Sequence, residues 1–301
     1  MFPIIPGGAA ASVDPTLNDE GIFGYGIQSS KYNISNLVSN TGVVSTDGSA
    51  VGTARSNLTA CEFGGDKGIF GYGGNARVSM TNLVSNSGVV ATDTSGVGTA
   101  RDNLAACEYG TDKGIFGYGY TGSNASITNL VSNSGVVATD TTGVGSARRA
   151  LAACEYGDDK GIFGYGVISS LTAITNTVSN TGVVATDTSG VGSVRDFLGA
   201  CSYGEDKGIF GFGQPADDSN VSMTNLVSNL GVVSSDVTGV GQARNAVAGC
   251  EFGQDKGIFG YGSISTALVS TTNLVSNSGV VATDTTGVGT NRYALAACSF
   301  A

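Results

Sequence analysis

The sequence predicts an all-β protein, a six-bladed β-propeller of four-stranded antiparallel blades, on three observations: internal repeats, short β-like runs and complementary chain ends. The repeats are marked by the phrase Gly-Ile-Phe-Gly-(Tyr/Phe)-Gly, which begins six times in the 301 residues, at Gly21, Gly68, Gly114, Gly161, Gly208 and Gly257. Successive starts are separated by 47, 46, 47, 47 and 49 residues. A period of this length is typical of propeller blades.

Each repeat contains four short β-like runs, which we name A, B, C and D. In the third repeat they cover residues 104–109, 113–118, 127–132 and 135–140, and Gly, Asn, Asp or Thr residues bound them. No stretch of the repeat keeps the apolar period of a helix over the length that a helix needs. Four antiparallel strands in a repeat of this length predict one blade per repeat.

The two ends of the chain predict that the repeats close into a ring. The Asn of the (Ser/Thr)-Asn-(Leu/Thr)-Val-Ser-Asn phrase precedes the next Gly-Ile-Phe by 32 residues in the first five repeats, and the same spacing from Asn273 leads past the C terminus. Residues 294–300 are therefore expected to supply the A strand of the blade whose other strands come from residues 21–47. Residues 17–301 would form the ring, and residues 1–16 an extended N-terminal arm. An open β-solenoid is the alternative, but it would need polar capping repeats.

Three features of the repeat resemble kelch-type propellers: an Arg-x-x-Leu-Ala-Ala start of strand A, an A–B turn with Gly and Asp, and an Ile-Phe-Gly-Tyr-Gly B strand. The resemblance covers residues 17–301 and implies a propeller. The chain has Gly-Tyr-Gly where kelch repeats have a Gly-Gly doublet, and it has no Trp to stand for the kelch D-strand Trp. Propellers of the chromosome-condensation-regulator type are similar to a smaller degree. The units also resemble repeats in uncharacterised proteins of bacteriophages and marine metagenomes, which implies a virion structural protein.

The charge balance argues against two classes of partner. The chain has 14 basic and 24 acidic residues, a net charge of -10, and no basic run. Such a chain is not expected to bind nucleic acid or an anionic membrane surface. Residues 1–11 carry two prolines and no basic side chain, unlike a secretory signal, and no segment is apolar for long enough to span a bilayer. We therefore expect no export by a cleaved peptide, and the resemblance to bacteriophage proteins implies assembly in a host cytoplasm and a final place on a virion surface.

The absence of His argues against catalysis. Ser-His-Asp and Cys-His mechanisms need this residue, and so does the copper site of galactose-oxidase-type propellers. We expect no enzyme activity, no cofactor and no metal. The remaining catalytic hypothesis is a carboxylate-dependent glycosidase or lyase that uses Asp217 and Asp218, the one local acidic pair that is unique to a single repeat. Adjacent residues seldom give the opposed carboxyl geometry that hydrolysis requires.

Each A strand carries one Cys at the same position, in the set Cys61, Cys107, Cys154, Cys201, Cys250 and Cys298. One Cys per repeat cannot pair within its blade, and equivalent positions in neighbouring blades should exceed the roughly 5.5 Å Cα separation of a disulfide. The spacing also matches no zinc module. These residues are expected to be reduced and buried, with a redox or metal role as the alternative.

An Asp and an Arg recur eight residues apart in every repeat. The Asp residues are Asp47, Asp93, Asp140, Asp187, Asp236 and Asp284, and the Arg residues are Arg55, Arg101, Arg148, Arg195, Arg244 and Arg292. A guanidinium can bind a carboxylate or several carbonyl oxygens at once, so we expect these pairs to tie blade to blade. A ring of Arg side chains that binds an anion on the axis is the alternative.

The repeats differ mainly in their B–C segments and just after the repeated Arg. In a four-stranded blade the B–C and D–A connections lie on one face of the disc, which we call the varied face. Loops on a rigid scaffold often carry recognition, whereas unconstrained drift is the alternative explanation. The candidates for contacts, all expected to be exposed, are Lys31, Tyr32, Arg77, Tyr120, Asn124, Asp217, Asp218 and Tyr293.

The N-terminal arm contains two prolines and, beside them, the three apolar residues Phe2, Ile4 and Ile5. It could dock on another subunit of a larger assembly. Together with the acidic ring it predicts a non-enzymatic display or adhesion module. The resemblance to bacteriophage repeat proteins implies a phage virion appendage or capsid-decorating protein that takes part in host-surface attachment. A glycan-binding, lectin-like propeller is the alternative, in which six similar weak sites would add up to avidity.

Overall fold

The computed structural model of the protein describes residues 19–74 and 76–300, and every regular element in them is a β-strand. The described part of the chain contains no helix that could span a membrane. In chain order the strands are β1 (Glu20–Gly24), β2 (Ser35–Val38), β3 (Thr59–Phe63), β4 (Lys67–Gly71), β5 (Thr81–Val84), β6 (Ala105–Tyr109), β7 (Lys113–Gly117), β8 (Thr128–Val131), β9 (Ala152–Tyr156), β10 (Lys160–Gly164), β11 (Thr175–Val178), β12 (Gly199–Tyr203), β13 (Lys207–Gly211), β14 (Thr224–Val227), β15 (Ala248–Phe252), β16 (Lys256–Gly260), β17 (Ser263–Ile264), β18 (Ala267–Leu268), β19 (Thr272–Val275) and β20 (Ala296–Phe300).

Repeated three-stranded antiparallel sheets make up the fold, each with its B strand in the middle. Five of them are β3-β4-β5, β6-β7-β8, β9-β10-β11, β12-β13-β14 and β15-β16-β19, and β17-β18 is a short extra hairpin. In the remaining sheet, β20-β1-β2, the C-terminal strand takes the place of strand A. Ile22 of β1 lies opposite Cys298 of β20 just as Ile115 lies opposite Cys107. The two ends of the described chain thus pair in the register that the repeat spacing predicts.

Neighbouring sheets are joined through their A strands. These strands contact one another in the order β3, β6, β9, β12, β15 and β20, and β20 also contacts β3. Just before each A strand, one backbone N–H donates to the carbonyl oxygen of the equivalent residue in the neighbouring unit. The bonds run from Asn57 to Ala294, Asn103 to Asn57, Ala150 to Asn103, Phe197 to Ala150, Ala246 to Phe197 and Ala294 to Ala246.

Glycines at both ends of the B strand let neighbouring sheets approach closely. A Cβ atom on Gly71 would lie 2.7 Å from the ring of Phe116 in the next sheet. One on Gly114 would lie 2.5 Å from the Sγ atom of Cys61 in the sheet before. The Phe116 ring also meets Tyr72 edge-on, with ring centroids 5.1 Å apart. Because interiors are close-packed, the Gly-Ile-Phe-Gly phrase is a packing device between sheets, and the apolar core lies at these contacts.

The predicted D strand of each repeat is wrong as a regular strand. In the third repeat the D run makes only isolated bridges to β8, between Val131 and Val137 and between Thr128 and Thr141. The bridged residues are three positions apart in strand C but four apart in the D run, so the D run contains an extra residue. An extra residue forms a β-bulge, which interrupts regular pairing. Each sheet therefore has three regular strands and an irregular outer segment.

Candidate functional site

The repeated Arg residues join neighbouring sheets, as Arg101 illustrates. Its fully buried side chain donates from Nε to the Tyr118 carbonyl oxygen at 2.8 Å and from Nη1 to the Thr99 carbonyl oxygen at 3.1 Å. Its Nη2 atom donates to Asn129 Oδ1 at 2.7 Å. The guanidinium also lies 4.3 Å from the centre of the Tyr72 ring, which belongs to the sheet before. The planar guanidinium suits several acceptors at once, so one side chain fixes two sheets.

The repeated Asp residues bind the same framework from the solvent side. Asp140 accepts hydrogen bonds from the Thr99 hydroxyl at 2.6 Å, the Thr99 backbone N–H at 3.0 Å and Asn129 Nδ2 at 2.9 Å. Burial would raise the pKa of Asp140, but the bonds from Thr99 and Asn129 outweigh it and hold that pKa below its ordinary value. Arg101 and Asp140 are therefore linked through Asn129, which both of them contact.

All six cysteines are free and buried, which confirms the prediction of reduced packing residues. Burial raises the thiol pKa in every case. A raised pKa keeps a thiol protonated and therefore unreactive.

Two small cavities lie between the A strands, and residues from all six strands line each of them. The first, of about 120 Å³, is lined by the starts of the strands, including Leu104 and Ala105. The second, of about 60 Å³, is lined by their ends, including Cys107 and Glu108. No repeated Arg side chain lines either cavity, because the guanidiniums point into the framework between sheets. This geometry gives no support to the alternative of an Arg-ringed anion site.

Four carboxyl side chains line the second cavity, and we call them the carboxyl cluster: Glu62, Glu108, Glu155 and Glu251. Each Glu directly follows the repeated Cys, and the two remaining units have Ser202 and Ser299 at that position. The sequence interpretation missed this site because it treated recurring charges as parts of the blade. The signal was present, since Glu occurs in four units and Ser in two.

Burial sets the protonation of the carboxyl cluster. Burial, and after it the charge of Asp112, raise the pKa of Glu108 to about 8, although a hydrogen bond with Glu155 and the charge of Lys113 act in the opposite direction. Burial also raises the pKa of Glu155 well above its ordinary value, and the Glu108 charge acts in the same direction. Burial and then Glu108 do the same for Glu251. Within the described residues, no group of three or more His, Cys, Asp or Glu side chains is arranged to hold a metal ion.

The predicted contact residues on the varied face include one compact cluster around Tyr120. The guanidinium carbon of Arg77 lies 4.6 Å from the ring centre, and that of Arg149 lies 5.1 Å from it. Arg77 Nε forms an ion pair with Asp102 Oδ2 at 3.3 Å. Arg149 Nη1 donates to Asn124 Oδ1 at 2.9 Å. The structure thus brings together three predicted residues and adds Arg149 and Asp102, which sequence reasoning did not select.

The other predicted contact residues lie in two separate places. Lys31 and Tyr293 both bridge to Ile27, while the Tyr32 hydroxyl donates to Gln28 at 3.1 Å. The second of these places is a turn in which Asp217 accepts hydrogen bonds from the backbone N–H and the hydroxyl of Ser219. Neither Asp217 nor Asp218 lines one of the two cavities. Of the eight predicted contact residues, only Asp217 and Asp218 are exposed. The expected exposure was wrong for the other six, which are half-buried because the B–C segments pack on the neighbouring connection.

No family model matches the chain, and no curated protein matches it. The resemblance to kelch-type propellers stays a prediction.

Proposed function

We propose that the chain is a closed six-bladed β-propeller and that it works as a non-catalytic binding module, which presents its varied face to a partner. The closed ring is supported by the pairing of β20 with β1 and by the contact of β20 with β3. It is also supported by the six backbone hydrogen bonds between units, which begin at Asn57 and return to it. Closure removes the free sheet edges that an open array would expose.

One observation carries the binding role: an unchanging framework holds a face that changes from unit to unit. The buried Arg recurs in every repeat, whereas the Tyr120 cluster, with Arg77 and Arg149, occurs once. Tyr and Arg combine large contact area with hydrogen bonding and are enriched where partners bind. A rigid scaffold with varied connections is suited to recognition.

The sizes of the two cavities support a role without catalysis. The cavity next to the carboxyl cluster measures about 60 Å³, and the one at the other end about 120 Å³. Small-molecule sites usually measure roughly 300–1,000 Å³, so a sugar ring does not fit beside Glu108. The acidic pair of the sequence hypothesis lies in an exposed turn instead.

The attachment of the module to a larger assembly is part of the proposal. The arm, residues 1–16, lies outside the described residues, so the docking role stays a prediction for Phe2, Ile4 and Ile5. We expect that a chain lacking residues 1–16 keeps its strands but is not incorporated into its particle. Loss of the folded ring on this deletion would contradict the division into arm and ring.

Glycan binding is the second candidate, favoured by the mixture of aromatic rings and amides on the varied face. Tyr32, Tyr120 and Tyr293 are half-buried there, with Asn124 beside Tyr120. Half-buried rings combine an apolar face with a polar edge.

Binding of the fluorescently labelled chain to a panel of bacterial cells and to a glycan array tests both candidates. The varied-face variant is R77S/Y120S/R149S. The matched control is V89S/V136S/V183S, which changes three exposed side chains in the C–D turns of the opposite face. We expect the parent and the control to bind at least one cell type and the varied-face variant to lose that binding.

The two readouts separate the candidates. An array signal that the varied-face variant loses would identify a glycan partner, whereas cell binding without an array signal would indicate a protein receptor. The proposal would be overturned by an absence of binding to any surface, or by a varied-face variant that binds as the parent does.

A further inference from the structure

We propose that the carboxyl cluster is a pH-sensitive element of the fold, in which Glu108, Glu155 and Glu251 hold protons at neutral pH and weaken the association of the A strands when they lose them. This role is separate from partner binding, because the cluster lies at the other end of the A strands from the Tyr120 cluster. The pH-sensitive role is inferred from the positions of the carboxyl groups on the A strands and from the charged groups near them.

The order of the A strands places three carboxyl groups side by side. Glu62, Glu108 and Glu155 belong to the consecutive strands β3, β6 and β9. Glu251 lies three strands away from Glu108 in either direction, with Ser202 and Ser299 on its two sides. Like charges in one small cavity repel one another, so ionising all four groups is unfavourable.

The groups near Glu108, Glu155 and Glu251 are mostly acidic or neutral. The six thiols that share the cavity wall have pKa values raised by burial and remain neutral. The charged groups of the A–B turns that act on these three Glu residues are mostly acidic: Asp112, Asp158, Glu205 and Asp255. One basic group, Lys113, acts on Glu108. Lys113 already forms an ion pair with Asp112.

The sign of the pH effect follows from the direction of the shifts. An unfolded Glu has an ordinary pKa of 4.5, whereas burial and then Asp112 raise that of Glu108 to about 8 in the folded chain. The folded state therefore binds more protons than the unfolded state between these values, and stability falls as the pH rises. Each proton retained only by the folded chain changes the folding equilibrium constant by about tenfold per pH unit.

The chain itself offers the matched substitution, because Ser occupies the Glu position in two units. The Ser299 hydroxyl accepts a hydrogen bond from the Glu251 backbone N–H at 3.0 Å and donates to the Glu251 carbonyl oxygen at 3.3 Å. A serine at this position is thus satisfied by the neighbouring backbone. Replacing a Glu by Ser reproduces a local sequence that the fold already contains.

Urea unfolding of the whole chain between about pH 5 and about pH 7 tests the proposal, a range in which unfolded thiols, with an ordinary pKa of about 8.5, stay almost fully protonated. The variant is E108S/E155S, and the control is D217S/D218S, which removes the same formal charge from an exposed turn. We expect the folding equilibrium constant of the parent and the control to fall by about tenfold or more per pH unit over part of this range. The double variant should lose most of this slope.

Two outcomes would overturn the proposal: a parent whose stability is flat or rises over this range, or a double variant that keeps the parent's slope. If the double variant does not fold, the single variant E155S and the opposite change S202E decide. S202E adds a fifth carboxyl group and should steepen the slope, while an unchanged slope in both single variants would contradict the role of the cluster.

Discussion

The repeated Arg side chains and the Glu side chains of the carboxyl cluster differ in their surroundings, and this difference determines which of them keeps its charge. Arg101 donates to three acceptors and lies over the Tyr72 ring. Glu108 faces a cavity that it shares with other carboxyl groups, and burial raises its pKa to about 8. A buried charge is stable only where partners replace its lost hydration. The Arg side chain keeps its charge in this framework, and the Glu side chain keeps a proton instead.

The Arg side chains and the Glu side chains also differ in how many of the six repeats contain them. The Arg position holds Arg in all six repeats, whereas the Glu position holds Ser in two. Since Ser299 fits that position with its hydroxyl bonded to a neighbouring strand, packing alone does not require Glu. A buried charge that recurs in every repeat and donates to the surrounding acceptors, as Arg101 does, is part of the scaffold. A charged position that breaks the repeat and faces further carboxyl groups, as Glu108 does, is a candidate for a titrating function.

The largest expected effect is the loss of one framework Arg. The substitution Arg101→Met removes the donors to Tyr118 and Asn129 while keeping much of the apolar stem. Because it leaves buried acceptors unpaired, we expect the free energy of unfolding to fall by about 3 kcal/mol. Urea titration at neutral pH measures this change.

The control is Arg149→Met, which removes a half-buried guanidinium from the varied face. Such partly exposed interactions contribute at most about 1 kcal/mol, so this variant should stay close to the parent. Equal losses for the two variants would contradict the distinction between framework and varied face.

A middle-sized effect is expected for Asp140→Asn. The amide cannot accept the full set of hydrogen bonds from Thr99 and Asn129, so unfolding should become easier by about 1–2 kcal/mol. The pKa of Asp140 is lowered in the folded chain, because its hydrogen bonds outweigh burial. Its contribution is therefore present above the ordinary pKa and is lost as the pH falls through the folded value. Urea titrations at falling pH should show a shallower acid loss in the variant than in the parent.

The smallest effect is expected for Glu108→Gln. A protonated Glu and a Gln are both neutral and nearly equal in shape, so the change at neutral pH should stay within about 0.5 kcal/mol. A loss as large as that of Arg101→Met would show that Glu108 is charged and paired, which would remove the contrast between the two sets.

The sequence predicted the strands that a strict repeat determines. The phrase that begins at Gly114 fixes β7, and its spacing predicted that residues 294–300 would pair beside β1. The prediction of a regular D strand was wrong, because residues 135–140 have the composition of a strand. The extra residue in this segment becomes apparent only from the bridge between Thr128 and Thr141 in the structure.

The site was less predictable than the fold for a physical reason. Sequence spacing placed Arg77, Tyr120 and Asn124 on one face. The contact of Tyr120 with Arg77 and the contacts of Tyr120 and Asn124 with Arg149 depend on the geometry of three connections. The meeting of Glu residues from different strands depends on the arrangement of the A strands. The sequence of a single repeat does not show that its Glu will lie in the same cavity as the Glu residues of other repeats.

Carbon-13 NMR titration of the Glu side-chain carboxyl groups tests the central contrast most directly, because it reports the charge of each group. We expect that Glu108, Glu155 and Glu251 remain protonated at neutral pH and that Glu108 titrates near a pKa of about 8, raised chiefly by burial. Titration of all three near the ordinary value of 4.5 would contradict it.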